Sequence, residues 1–205
     1  MGFYEEQILP RWLSVVMSTK DLAEVRARRL EQVEGTVLEV GFGSGLNLPH
    51  YGASVSKLYA LDPSKVGLQL AKKRLSRVSF PVELLPLRAD GRIPLDDRSV
   101  DAVVTTWTLC TIPDPLAALR EMHRVLRPGG RYSFVEHGLS PDPAVAKWQH
   151  RLDPYEQALA GGCHFNRAID AIVRDSPFQL DGVENFHLKG PRFATYLYFG
   201  SAVRA

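Results

Sequence analysis

At 205 residues, with 45% apolar and 23% charged residues, the chain has the bulk for one substantial globular domain and little room for a second. A formal net charge of +2 gives no basic footprint for nucleic acid. No apolar run approaches the roughly 18 residues that span a bilayer, and Glu5, Glu6 and Arg11 spoil a secretory leader, so the expected setting is the cytoplasm.

Residues 1–34 read as helical. Ile8, Leu9, Trp12, Leu13, Val16 and Met17 recur at three- and four-residue spacing, with Pro10 kinking or restarting the helix, and a second helix runs over about 21–34. Arg26, Arg28 and Arg29, the densest basic run, read as a solvated helix face. Gly35 reads as a helix stop. Residues 36–40 form a short buried strand, 57–62 a second strand ending on an acid, and 64–75 a helix with Val66, Leu70 and Leu75 facing inward. A third strand is expected at 81–87, a fourth at 101–106, a helix at 115–126 and a fifth strand at 131–136. The run Arg127-Pro128-Gly129-Gly130 reads as a helix end. Beyond it, helices near 144–160 and 166–174 lead to strands near 178–186 and 193–202. Strands alternating with helices of this length predict an α/β fold with a parallel sheet covered on both faces, in a single domain over 1–205.

The sharpest motif is Glu39-Val40-Gly41-Phe42-Gly43-Ser44-Gly45, directly after the first strand. Glycines there let the backbone turn tightly and approach a ligand without a Cβ in the way, and open parallel sheets bind ligands beyond their strands' carboxyl ends. A dinucleotide fingerprint fails because Leu46 stands where its third glycine belongs. Asp62, about 20 residues after the turn and at the end of the second strand, suits a ribose diol or, more simply, a helix N-cap. Asp90-Gly91 suits an adenine amino group or a plain turn. Glu136 and His137 close the fifth strand on the ligand side and are the candidate general bases; the simpler alternative has His137 ordering the next loop. Cys110 and Cys163 form no C-x-x-C pair, which supports neither a redox motif nor a zinc site and leaves buried inert cysteine as the expectation; no metal is expected.

Taken together, Val37-Leu38-Glu39-Val40-Gly41-Phe42-Gly43-Ser44-Gly45, Ala60-Leu61-Asp62-Pro63, Ala89-Asp90-Gly91 and Arg124-Val125-Leu126-Arg127-Pro128-Gly129-Gly130 resemble the ordered motifs of class I S-adenosylmethionine-dependent methyltransferases, in the branch of the ubiquinone and menaquinone C-methyltransferases. The resemblance implies a Rossmann-like, seven-stranded, mostly parallel sheet with one antiparallel strand. Residues 1–34 become an N-terminal helical lid, 36–137 the cofactor-binding core and 138–205 the acceptor side. It implies S-adenosylmethionine as cofactor and S-adenosylhomocysteine as product, held by Glu39, Gly41, Phe42, Gly43, Gly45, Asp62, Pro63, Asp90 and Gly91, with Thr106 and Trp107 near the sulfonium and acceptor.

A narrower resemblance, on Leu109-Cys110, Val135-Glu136-His137, Leu152-Asp153-Pro154 and Gly162-Cys163-His164-Phe165-Asn166-Arg167, is to the methyltransferase-like 7 group of alkyl-thiol S-methyltransferases and their bacterial relatives. The long apolar anchor of the membrane-bound members is missing here, and only the helix over 2–17 is available as a lid or a peripheral membrane contact. The expected activity is therefore methyl transfer to a small-molecule acceptor, a thiol by preference. A lipid amine or quinone is the alternative acceptor, and a non-catalytic S-adenosylmethionine-binding module the alternative of a different class.

Overall fold

The computed structural model describes residues 2–205. Seven strands form one sheet: β1 (Gly35–Val40), β2 (Val55–Leu61), β3 (Val82–Leu85), β4 (Val100–Thr106), β5 (Leu126–His137), β6 (Gln179–His187) and β7 (Tyr196–Val203), in the order β3-β2-β1-β4-β5-β7-β6. The first five pair in parallel, and β7 runs antiparallel to both β5 and β6. The mostly parallel sheet with one reversed strand is thus the expected one.

The helices are α1 (Leu9–Val16), α2 (Lys20–Leu30), α3 (Lys65–Leu75), α4 (Pro115–Val125), α5 (Pro143–Leu159), α6 (Ile169–Arg174) and the single turn α7 (Arg192–Thr195), with a π-helical turn at Tyr4–Ile8 leading into α1. Strand alternation assigns the two faces. Val37, Ala60, Ala102 and Val104 pack with Leu30 of α2 and Leu68 and Ala71 of α3. Leu38, Val40 and Val103 pack on the other side with Leu119 and Met122 of α4 and Ile169 and Val173 of α6. Each large apolar side chain buried this way contributes roughly 1.5–3 kcal/mol before entropy is counted. Ser64 Oγ accepts from the Gly67 N–H at 3.0 Å, Asp114 Oδ1 from Ala117 and Asp142 Oδ1 from Ala144, so α3, α4 and α5 each begin on a side-chain cap.

Three local expectations change. Arg26 and Arg29 are buried, the former only 4% exposed, and are not a solvated face. Residues three apart share one helix face, and that face of α2 lies over aromatic side chains. The Arg26 guanidinium sits 4.7 Å above the Trp107 ring and donates to the Met17 carbonyl at 2.8 Å. Arg29 lies 4.7 Å above Phe199 and donates to the Gly200 carbonyl at 3.0 Å. Arg28 is the exposed one of the three, paired with Glu184.

The break at Arg127-Pro128-Gly129-Gly130 falls inside β5. Leu126 pairs with Val100 and Arg131 with Ala102, so the intervening four residues bulge out of the ladder, with Gly129 at φ +75°. Finally, Gly35 is not the helix stop: α2 ends at Leu30 with Glu31 as its C-cap, and Gly35 opens β1, its N–H donating to the Ser54 carbonyl at 2.9 Å.

Candidate active site

A cavity of about 1480 Å³ opens beyond the carboxyl ends of β1, β2, β4 and β5. Strand order reverses between β1 and β4, the position where open α/β sheets receive ligands. Leu9, Trp12, Leu13 and Met17 of the N-terminal segment form one wall, and the Tyr4 hydroxyl fastens that wall to α5 by donating to the Leu159 carbonyl at 2.8 Å. The volume exceeds the usual range of single-ligand pockets and leaves room for a cofactor and a second molecule.

The glycine turn divides its labour. Gly41, Gly43 and Gly45 all take positive φ, at +79°, +54° and +73°. A Cβ on Gly43 would meet nothing within 4 Å and would project into the cavity space, whereas one on Gly41 would strike Thr108. Gly45 is outside the cavity lining, and its missing Cβ makes room for Leu48, Phe42 and Ala71. Its place in the motif therefore serves packing.

Asp62 Oδ2 accepts from the Gly43 N–H and its Oδ1 from the Ser64 N–H, both at 2.7 Å. Each oxygen has a further lone pair for a ribose diol. The N-cap of α3 is Ser64 and not Asp62, which instead braces the approach to α3 and the glycine turn while lining the cavity. Burial raises its carboxyl above the usual range.

Glu39 is buried under this turn, accepting from Asn47 Nδ2 at 3.0 Å and from the Tyr51 hydroxyl at 2.7 Å. Asn47 also donates to Thr106 Oγ1 at 3.1 Å, but its own Oδ1 is buried without a partner. Such an orphan acceptor at a cavity wall fits a ligand's ammonium group. Asn47 was not singled out in the sequence; its position two residues past the glycine turn was the available signal. The glycine gap, the diol acceptor and this orphan oxygen together suit an amino-acid nucleoside such as S-adenosylmethionine.

Burial pushes the Glu39 carboxyl up from 4.5 to about 8. The folded chain then holds a proton that the unfolded chain releases from about pH 4.5 upward, so stability falls as pH rises towards 8 and levels above it. Glu136, raised by burial to about 7, acts in the same direction. Glu39→Gln is expected to flatten much of that decline in urea midpoints measured from pH 5 to pH 8. An undiminished slope would show that Glu39 is ionised throughout.

Of the other residues read from the sequence, Phe42, Pro63, Asp90, Thr106 and Trp107 line the cavity and Gly91 does not. The Asp90 carboxylate is held bidentately by Arg88 at 2.8 and 3.1 Å, an ion pair outside the sequence reading. Trp107 has φ +50°, a strained value for a large side chain, and its N–H donates to the Val135 carbonyl at 2.7 Å. Glu136 is fully buried and outside the lining. Its Oε2 accepts from Thr108 N–H at 2.8 Å and Cys110 N–H at 3.4 Å, which fixes the turn after β4.

His137 does line the cavity, and beside it lies an arrangement that spacing did not reveal. Cys163 Sγ stands 3.6 and 3.7 Å from the two His137 ring nitrogens and 2.9 Å from Cys110 Sγ. Asp153, inside α5, holds the loop that delivers Cys163 by accepting from the Phe165 N–H at 2.8 Å. Burial lifts the Cys110 thiol well above its ordinary range, while the hydrogen bond from Cys110, with His137 alongside, holds Cys163 well below it. Burial opposes charge on His137, but the Cys163 sulfur and Glu136 outweigh it and raise the imidazole. The two cysteines are therefore not isolated inert thiols.

A family model described as a methyltransferase domain matches residues 38–134. A thiol S-methyltransferase of Rattus norvegicus is 33% identical over 71% of this chain; the match spans 60% of that relative's length. A phosphatidylethanolamine N-methyltransferase of Cereibacter sphaeroides is 30% identical over 80% of this chain and 79% of its own. Among solved structures, a protein of Thermotoga maritima titled as a SAM-dependent methyltransferase, possible histamine N-methyltransferase, superposes with a TM-score of 0.69 over 98% of each chain at 17% identity.

Proposed function

This chain belongs to the class I S-adenosylmethionine-dependent methyltransferases, and from that premise we propose that it methylates a small, largely apolar thiol. The observation that carries the reading is the position of His137 and Cys163, a sulfur-compatible polar spot in a cavity wall that also includes Trp12, Leu13, Met17, Phe165 and Phe193. When bound, the cofactor supplies a methyl group on an already activated sulfonium. The chain's task is then to align the acceptor, exclude water and deal with one proton, and alignment alone can lower such a barrier by up to about 7–11 kcal/mol. A thiol, with a pKa of about 8.5, asks for little base assistance.

In this reading Asp62 takes the ribose diol and Asn47 Oδ1 the ammonium group. Pro63 and Asp90 flank the adenine, and Thr106 and Trp107 flank the methyl. His137 is the catalytic residue that meets the acceptor sulfur. Glu136 is a positioning residue that acts through the turn after β4. The test is methyl transfer from labelled S-adenosylmethionine to an alkyl thiol, with His137→Ala as comparison. Saturable transfer that the variant reduces at least 100-fold is expected; no transfer despite measured cofactor binding would remove the thiol.

One observation favours a lipid amine instead. Phe3, Ile8, Trp12 and Val15 are exposed on the N-terminal segment, Val15 by 71%, and such a face suits a lipid surface. Among the described residues no helix is long and apolar enough to cross a membrane. Transfer to phosphatidylethanolamine vesicles exceeding that to soluble thiols would select this reading.

A further inference from the structure

Cys110, His137 and Cys163 reach one point from three separate places: the turn after β4, the end of β5 and the loop after α5. One ligand atom from each lies within 4.8 Å of the other two, and all three residues are buried. His137 is the anomaly. Among the described residues neither ring nitrogen has an oxygen or nitrogen partner, only the Cys163 sulfur. Buried imidazoles normally spend their N–H on such a partner, so this one is built for something else.

Two thiolates and an imidazole are a ligand set for zinc, and three protein ligands are what a catalytic zinc uses, with the fourth position left open. Tetrahedral zinc, at about 2.3 Å from sulfur and about 2.05 Å from nitrogen, holds sulfur and nitrogen about 3.6 Å apart. Cys163 and His137 already stand at that separation. Two sulfurs on the same ion lie about 3.8 Å apart, so the cysteine pair at 2.9 Å must open by roughly 0.9 Å. Their backbones are anchored from outside the cluster, Cys110 by Glu136 and the Cys163 loop by Asp153. His137 and Cys163 line the cavity and Cys110 does not, so an ion held by the three would border the cavity.

The geometry points to a Cys110–His137–Cys163 site for a divalent cation of the zinc class, whose open fourth position takes the acceptor sulfur. The last clause rests on the thiol reading; the site itself does not. Coordination removes the thiol proton to solvent. The sulfur lone pair then forms the new S–CH₃ bond as the methyl–sulfonium bond breaks, its electron pair leaving on the sulfur of S-adenosylhomocysteine. With the ion bound, the His137 nitrogen is spent on it, so the acceptor sulfur meets the ion in place of His137, and the ion takes over the deprotonation.

The test is titration of the fully reduced, chelator-treated protein with Co²⁺ under anaerobic conditions. Expected are one equivalent bound, a sulfur-to-cobalt charge-transfer absorption and a tetrahedral d–d band. Cys110→Ser and Cys163→Ser should each lose intensity in the first, and His137→Gln should weaken binding about tenfold or more, with circular dichroism confirming that each variant folds. An alkyl thiol added to the cobalt form should shift the d–d band and deepen the charge transfer. Absence of charge transfer in the folded, reduced wild-type protein overturns the site, whatever the activity. A cobalt site that forms but does not respond to alkyl thiol retains the metal and overturns the acceptor clause.

Discussion

Gly43→Val is expected to lower S-adenosylmethionine affinity at least 100-fold, about 2.7 kcal/mol, while the chain remains folded. A Cβ at residue 43 meets no atom beyond its chain neighbours within 4 Å, and Gly43 lines the cavity, so the new side chain is expected to occupy cavity space. At φ +54° a side chain carries a strain of roughly 1–2 kcal/mol, which a domain of ordinary stability survives. Gly41→Ala makes the contrast, because its Cβ would collide with Thr108 and the damage would fall on folding. Calorimetric titration and a thermal melt on both variants separate the two effects. Affinity retained within threefold in Gly43→Val would mean that the cofactor does not cross this turn.

The second large effect is expected at Arg26. Burial pulls its pKa down to about 10, so the charge is held at a cost, and its Nε is buried without a partner. Against that cost stand a desolvated cation–π contact with Trp107, worth about 2 kcal/mol, and a charged hydrogen bond to the Met17 carbonyl, worth about 1.5–3 kcal/mol. Truncation also leaves a void and an unanswered carbonyl. Losses therefore outweigh relief, and Arg26→Ala is expected to cost about 3 kcal/mol in urea unfolding, within the usual range for a buried network. Arg26→Met keeps the stem and should cost about half as much. Because Arg26 ties the end of the α1 segment to Trp107, both variants should also weaken cofactor binding. A stability loss below about 0.5 kcal/mol for Arg26→Ala would show that the guanidinium merely fills space.

What could be read from the chain was what lies close together along it. The turn from Glu39 to Gly45, Asp62 at the next strand end and the strand–helix alternation are local signals, and the sheet assembles around them as expected. Even there a shared motif concealed different duties, since Gly43 opens the cavity while Gly45 admits Leu48 and Ala71. Arg26 and Arg29 were illegible because a basic helix face looks solvated until the aromatic rings opposite it are known, and Trp107 and Phe199 are distant in sequence. The same holds for Cys110 and Cys163. Their 53-residue separation contains no ligand spacing, and only the meeting of β4, β5 and the loop after α5 brings them to His137. The β5 bulge was missed for a different reason. Its Pro-Gly-Gly chemistry truly is that of a turn, but the turn is spent inside a strand.

The placement of β7 between β5 and β6 sets an order of assembly. During synthesis β6 emerges before the strand that joins it to the sheet, and until β7 pairs with it both of its edges are unpaired. Residues 179–187 are thus the stretch most exposed to wrong partners in the nascent protein, until Tyr196–Val203 arrives to bind β6 on one side and β5 on the other. The same strand contributes Leu197 to the core beside α2, so the face that carries the N-terminal wall of the cavity is completed by β7.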